Sequence, residues 1–289
     1  MKFLDYVSRY ARLIDEATAS LTEPGAQSQS IEIDNRPKIL LFAPHPDDEA
    51  IIGGLPLRLS LESGFQVINV PVTLGSDVSQ RPRRKLELTQ ACRCLGFALQ
   101  PLQDDGFSDI NPLARINDEA AWADKVLQVS KLIASFTPCA IIFPHDNDGH
   151  PTHIGVHHLV MDALHATDID YNLTLFQTEF WHPMTDANLM IESSEAQVAQ
   201  LIEAIACHIG EVQRNPYHLS QPSWMIDNAR RGSELIHGFG EASQPFRFAT
   251  LYKRSHWNGT GEIQLAEHAS CANDESVKIL LSDEFSMDK

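Results

Sequence analysis

The chain has 289 residues, of which 43% are hydrophobic, enough apolar material for a sizeable core in one large α/β domain. Lys and Arg total 22 against 39 for Asp and Glu, a formal charge of −17, which repels phosphate backbones and anionic membranes and argues against a nucleic-acid partner. The five cysteines are scattered and form no C-x-x-C, so they read as reduced thiols of a cytoplasmic protein rather than a sulfur-ligated metal site.

The N-terminus is charged throughout and lacks a signal-peptide core, and no run of apolar residues is long enough to span a membrane. Residues 3–18 are expected to form an amphipathic helix with Leu4, Val7, Ala11 and Ile14 on one face. A polar link, TEPGAQSQS, follows it. The run 38–43 (KILLFA) is continuously apolar, as a buried parallel strand requires. Helices are expected over 50–63 and 82–95, the latter opened by a proline, and strands over 66–73 and 97–102. Residues 119–136 place Trp122, Val126, Val129 and Ile133 at helical spacing. A second apolar strand at 139–143, a helix over 154–165, a strand over 172–180 and a helix over 195–208 follow. Beyond 210 the pattern weakens to a late strand at 248–252 and an apolar stretch at 277–282 in a polar, acidic tail.

Strands alternating with crossover-length helices predict a Rossmann-like, mostly parallel sheet with helices on both faces. In such a sheet the loops leaving the C-terminal strand edge gather on one side, where ligands bind. Two strands run out into similar chemistry, ILLFAPHPDDE at 39–49 and AIIFPHDNDGHPTH at 140–153. His45 and Asp48 on the first, with His150 and His153 on the second, offer imidazoles and a carboxylate for a catalytic zinc set with a position left for water. Asp47, beside Asp48, is placed to take a proton from that water. The plainer reading makes the acidic run a helix N-terminus, with Glu49 serving the first turn or supporting the site. His145 reads as a loop or supporting residue, and His157 and His158 as structural.

These motifs resemble the PIG-L (LmbE-like) deacetylase family. Its first signature appears as Pro44-His45-Pro46-Asp47-Asp48-Glu49 and its second as His150-Pro151-Thr152-His153. The resemblance implies one Zn2+ held by His45, Asp48 and His153, with Asp47 as general base. His150 would stabilise the oxyanion. It implies hydrolysis of the linear amide of an N-acetyl or other N-acyl amino sugar or glycoconjugate through a zinc-bound water. Arg84 is similar to a substrate-reaching arginine of the family, and Glu179-Phe180-Trp181-His182-Pro183 to its later strand end; Trp181 and His182 are candidates for lining a sugar pocket. The resemblance covers roughly 37–252, giving an expected N-terminal helical extension and linker over 1–36, a deacetylase domain over 37–256 and a partly disordered tail over 257–289. Thr152 departs from the family, which has aspartate there. A threonine cannot hold a charge on His150, so that role would fall to Asp146 or Asp148, or His150 would have a lowered pKa.

Two other classes remain at this level. One is a magnesium-dependent phosphate-handling enzyme, which the histidines oppose because magnesium prefers oxygen ligands. The other is a catalytically weakened glycoconjugate-binding relative. The expected partner is a small N-acylated sugar-like molecule, with homo-oligomerisation open and no stable membrane insertion.

Overall fold

The computed structural model describes residues 3–18, 29–242 and 244–281. An N-terminal helix, α1 (Leu4–Thr18), precedes the sheet. The first half then alternates as expected: β1 (Lys38–Ala43), α2 (Asp48–Ile51), α3 (Gly54–Glu62), β2 (Gln66–Pro71), α4 (Arg81–Leu95), β3 (Ala98–Leu99), α5 (Pro112–Asn117), α6 (Glu119–Phe136), β4 (Ala140–Pro144), α7 (Pro151–His165) and β5 (Leu173–Thr178). The second half adds β6 (Leu189–Glu192), α8 (Glu195–Ala206), α9 (Ile209–Arg214), α10 (Tyr217–His237), β7 (Ala249–Trp257), β8 (Glu262–Gln264) and β9 (Ala269–Cys271).

The sheet runs β3-β2-β1-β4-β5-β7-β6-β9, with β8 paired to β7. The first five strands are parallel, and β7 lies antiparallel between β5 and β6. Along β1 the side chains alternate between two cores. Ile39 and Leu41 join the cluster that includes residues of α3, α4 and α8, while Leu40 and Phe42 join the one built with α6 and α7. A strand buried on both sides reads as a continuous apolar run, which is why β1 and β4 were legible. This is the Rossmann-like, mostly parallel arrangement with helices on both faces.

Several elements differ from expectation. The helix expected over 50–63 breaks at Gly53-Gly54. A Cβ at Gly53 would lie 2.6 Å from the Leu201 side chain, and one at Gly54 2.3 Å from Thr250 Oγ1. The break brings the chain against α8 and β7, and carbonyls freed at the end of α2 find partners on α10 and β7. Ile51 O accepts from Gln221 Nε2 at 2.8 Å, and Ile52 O from the Tyr252 hydroxyl at 2.6 Å. The strand expected over 248–252 runs on to Trp257, because its polar continuation is in register with all of β5. Helix α10 had no apolar signature: its buried stripe is His218, Gln221, Met225, Ala229, Gly232 and Ser233, at helical spacing but largely polar or small.

Helix α1 forms, yet Leu4, Val7 and Ile14 stay exposed, and the Tyr10 hydroxyl meets Ser223 Oγ on α10 at 3.2 Å. Residues 258–281 contribute β8, β9 and a 3-10 turn at Val277–Leu281, with β9 parallel to β6. All five cysteines are free. Among the described residues no helix is long and apolar enough to cross a membrane.

Candidate active site

Strands β1 and β4 are adjacent and parallel, with Ile39, Leu40 and Leu41 opposite Ala140, Ile141 and Ile142. Their C-terminal loops therefore emerge side by side, and each runs into a helix N-terminus. Asp47 is the N-cap of α2 and His150 the N-cap of α7. Asp47 has φ 115° and ψ −29°, a conformation costly to a non-glycine residue. His150 is extended, and its Nδ1 accepts the Thr152 N–H at 3.2 Å. In the neutral ring this leaves the proton on Nε2.

The two loops bring His45, Asp48, His150 and His153 together. Ligand nitrogens of the three histidines lie within 4.8 Å of one another. Asp48 Oδ2 is 3.4 Å from His45 Nδ1 and 3.4 Å from His153 Nε2. His153 is almost wholly buried, and neither of its ring nitrogens makes a hydrogen bond. A buried imidazole without hydrogen-bond partners, facing a carboxylate and two further imidazoles, is a donor set suited to a divalent transition metal. Behind it, Asp148 Oδ2 faces His153 Nδ1 at 3.6 Å, the arrangement by which a carboxylate orients a ligating histidine.

Burial pushes the Asp47 carboxyl well above its ordinary value, helped by the charges of Asp48 and Glu49 and opposed by Arg84. Burial acts on Asp48 in the same direction, but His153 and His45 outweigh it and hold this carboxylate low. His153 is the mirror case: burial would lower it, and Asp48 and Asp148 carry it above the ordinary imidazole. Burial lowers His150, and the neighbouring His45 and His153 add to the effect.

The remaining expected residues fall around this centre. Asp148 accepts the backbone N–H groups of His150 and Trp181, so it serves the loops and His153 rather than the His150 ring. Asp146 is exposed. His145 Nε2 lies 2.9 Å from His182 O, and His182 Nδ1 lies 3.0 Å from Asn147 O, so this pair stitches the 145–148 loop to the end of β5. Trp181 lines the cavity, with its ring stacked 6.3 Å from His150, while His182 is outside the lining. Arg84 is engaged with the carbonyls of Leu74 and Pro46 and with Glu211, at 3.2, 3.4 and 3.3 Å, so it ties the His-Pro-Asp-Asp loop to the loop after β2.

The cavity holds about 760 Å³ and opens over His45, Asp47, Asp48 and His150. One wall is aromatic. Phe180 and Trp181 pack at 4.9 Å, and Tyr217 from α10 lies 6.2 Å from Trp181. The other side carries Arg81, Arg83 and Arg84 from the start of α4, with Arg214 and Glu211 from α9. Tyr217, Glu211 and Arg81 were missed in the sequence. The single available signal was the R-P-R-R-K run at 81–85, unusual in so acidic a chain.

Residues 40–164 match the PIG-L family, described as GlcNAc-PI de-N-acetylase. No curated protein matches the chain. Among solved structures, the conserved protein TT1542 from Thermus thermophilus is similar at 19% identity over 74% of this chain and 92% of that one, with a TM-score of 0.57. N,N'-diacetylchitobiose deacetylase from Pyrococcus horikoshii is similar at 15% identity over 78% and 85%, with a TM-score of 0.55. The 4-carboxy-2-hydroxymuconate hydratase GalB from Pseudomonas putida is similar at 13% identity over 75% and 95%, with a TM-score of 0.57. At these identities the likenesses establish the fold. The stretch that matches the PIG-L family, residues 40–164, contains every candidate metal ligand.

Proposed function

We propose that this chain is a zinc-dependent hydrolase that cleaves the linear amide of an N-acetyl, or other N-acyl, amino sugar or glycoconjugate. The observation that carries this reading is the placement of Asp48 Oδ2 at 3.4 Å from both His45 Nδ1 and His153 Nε2. Zinc bonds of about 2.0–2.1 Å in a tetrahedron give ligand–ligand edges of about 3.3–3.4 Å. His45, Asp48 and His153 would hold the ion. His150 is set apart from them because its Nδ1 is taken by the Thr152 N–H, which leaves a protonated Nε2 that donates rather than ligates.

Zinc bound there would polarise the acyl carbonyl and bring the pKa of a water towards neutrality. Asp47 removes a proton from the water that attacks the carbonyl carbon, and its raised proton affinity suits a base working near neutral pH. His150 Nε2–H donates to the carbonyl oxygen as negative charge builds there. When the C–N bond breaks, Asp47 returns the proton to the departing nitrogen, and the products are a carboxylic acid and a free amine. Trp181 and Tyr217 line the cavity, where aromatic rings suit the C–H face of a pyranose.

The family's description as a de-N-acetylase and the likeness to a chitobiose deacetylase support an amino-sugar amide as the bond. The likeness to a hydratase shows why the fold alone does not decide the chemistry. Incubation with N-acetylated amino sugars, read by released acetate, tests the reading. Release is expected from the metal-loaded chain, abolished by a chelator and restored by zinc. Release that persists undiminished in chelator overturns the metal-dependent mechanism.

A further inference from the structure

Asp47 keeps a left-handed backbone although its side chain makes no capping hydrogen bond. The stabilising contact comes through its backbone N–H, which donates to Glu49 Oε2 at 3.1 Å. Glu49 is fully buried, and its other oxygen lies 2.8 Å from Nε2 of His208, also fully buried. His208 Nδ1 has no hydrogen-bond partner. A neutral ring with its proton on Nε2 leaves only a lone pair unmatched there, which costs less than a buried orphan N–H. His208 therefore donates to Glu49.

The backbone of His208 is itself well anchored. The residue sits at the turn between α8 and α9, where its backbone N–H donates to Ile205 O at 3.0 Å and its backbone carbonyl accepts the Val212 N–H at 2.9 Å. It does not line the cavity, so any influence on the reaction passes through Glu49 and Asp47.

We propose that His208 is a positioning residue that acts through Glu49 to hold Asp47 in its left-handed conformation and so aim the carboxylate at the reacting centre. The catalytic consequence rests on the reading of Asp47 as general base, whereas the structural consequence does not. The segment after 164, outside the family match, thus supplies a part that the His-Pro-Asp-Asp-Glu loop needs in order to keep its shape.

The test uses the full zinc-loaded chain as wild type, His208→Ala and His208→Gln. It reads hydrogen exchange at the Asp47 amide, kcat and KM for acetate release, and zinc per chain. In His208→Ala the Asp47 amide is expected to exchange at least about tenfold faster and kcat to fall about 10- to 100-fold, with KM and zinc content unchanged. Gln can offer its own Nε2–H to Glu49 and is expected to restore most of both losses.

Exchange and kcat within about twofold of wild type in His208→Ala overturn the proposal, by the same scale of comparison. So does a loss that Gln does not repair, or one in which KM and zinc fail together. If His208→Ala does not fold, Glu49→Leu replaces it, because that side chain of similar size offers the Asp47 N–H no acceptor. Unchanged Asp47 exchange in that variant also overturns the proposal. A wild-type chain that releases no acetate defeats the deacetylase reading alone, and amide exchange still decides the positioning.

Discussion

Arg231 on α10 grips the carboxylate of Glu179 with both terminal nitrogens, Nη1 to Oε1 at 2.6 Å and Nη2 to Oε2 at 2.8 Å. The pair is bidentate and largely buried, the geometry in which a guanidinium binds a carboxylate most strongly. Glu179 follows the end of β5, and its Oε2 also accepts the Met184 N–H at 2.7 Å. The turn bearing Phe180 and Trp181 is thereby fastened to the helix that supplies Tyr217. The aromatic wall of the cavity is one mechanical unit. Arg231→Ala leaves Glu179 unpaired and is expected to lower stability by about 3 kcal/mol in urea denaturation. Arg231→Lys keeps the charge but loses the fork, and its effect is expected mainly in KM. A KM equal to wild type in the lysine variant would show that the pair does not shape the wall.

Replacing the proposed base and a proposed ligand should give opposite signatures. Asp47→Asn removes a proton acceptor that sits outside the ligand set. It is expected to retain zinc while kcat falls by about 100-fold or more. His153→Ala removes a buried nitrogen that faces Asp48 Oδ2 at 3.4 Å and is expected to lose the ion itself. Elemental analysis beside acetate release separates the two. Full zinc content in His153→Ala, or full turnover in Asp47→Asn, contradicts the corresponding assignment.

The division between what the sequence revealed and what it hid follows from how each part of the site is encoded. His45, Asp47 and Asp48 sit in one continuous run, and His150 and His153 in another. Each run follows an apolar strand buried on both sides, so composition and topology were enough to bring them together. The supports are encoded differently. His208 is a lone residue at a turn, and Glu211, Tyr217 and Gln221 are single residues on α9 and α10, positions that hydrophobic periodicity does not register. The break at Gly53-Gly54 was hidden for another reason. Its cause is a distant pair, Leu201 and Thr250, that only the folded chain brings within reach.

The threonine at 152 makes a measurable electrostatic difference. In the metal-free chain the His150 ring has no acidic partner in hydrogen-bond contact, and burial with two neighbouring imidazoles pulls its pKa below the ordinary value. Thr152→Asp places a carboxylate two residues away at the start of α7. It is expected to move the His150 midpoint upward, because a nearby negative charge favours the imidazolium. An NMR titration of the metal-free protein reads both midpoints. A wild-type midpoint above that of a solvent-exposed histidine, or one that Thr152→Asp leaves in place, would remove this residue's influence on the ring.

His157 gives the fold a pH dependence that does not involve metal chemistry. It is buried in α7, its Nδ1 lies 3.0 Å from Pro144 O, and its ring packs 5.5 Å from Phe143. Burial lowers its pKa despite the opposing effect of the Pro144 carbonyl. The unfolded chain therefore takes up a proton at higher pH than the folded one. The contribution is full above the unfolded value, about 6.5, and is lost as pH falls towards the lower folded value. His157→Asn keeps an N–H for Pro144 O but does not titrate. The stability advantage of wild type over this variant is expected to shrink between about pH 7.5 and pH 5.5 in urea denaturation. A difference that stays constant across that range would contradict the assignment.

Gly155 is the position where two opposing effects can be weighed. It lies inside α7, where alanine is ordinarily better than glycine by about 1 kcal/mol. A Cβ there, however, would stand 2.5 Å from the Ile110 carbonyl carbon and 2.6 Å from the Asn111 nitrogen. Both are backbone atoms, so no side-chain rotation relieves the contact, and either α7 or the segment at 110–111 must move. Neither is free to do so without consequence. Asn111 caps α5 by accepting the Ala114 N–H at 2.9 Å and also lines the cavity, and α7 carries His153 two residues before the glycine. Overpacking of this kind costs about 1–3 kcal/mol, which exceeds the gain in helix propensity, so Gly155→Ala is expected to be less stable than wild type and to bind zinc more weakly. Gly261→Ala, where nothing lies within 4 Å of the added carbon, is the control that should show no loss. Equal stability of Gly155→Ala and wild type would mean that the approach of α7 to residues 110–111 is soft, and that the metal-bearing end of the helix is not held from that side.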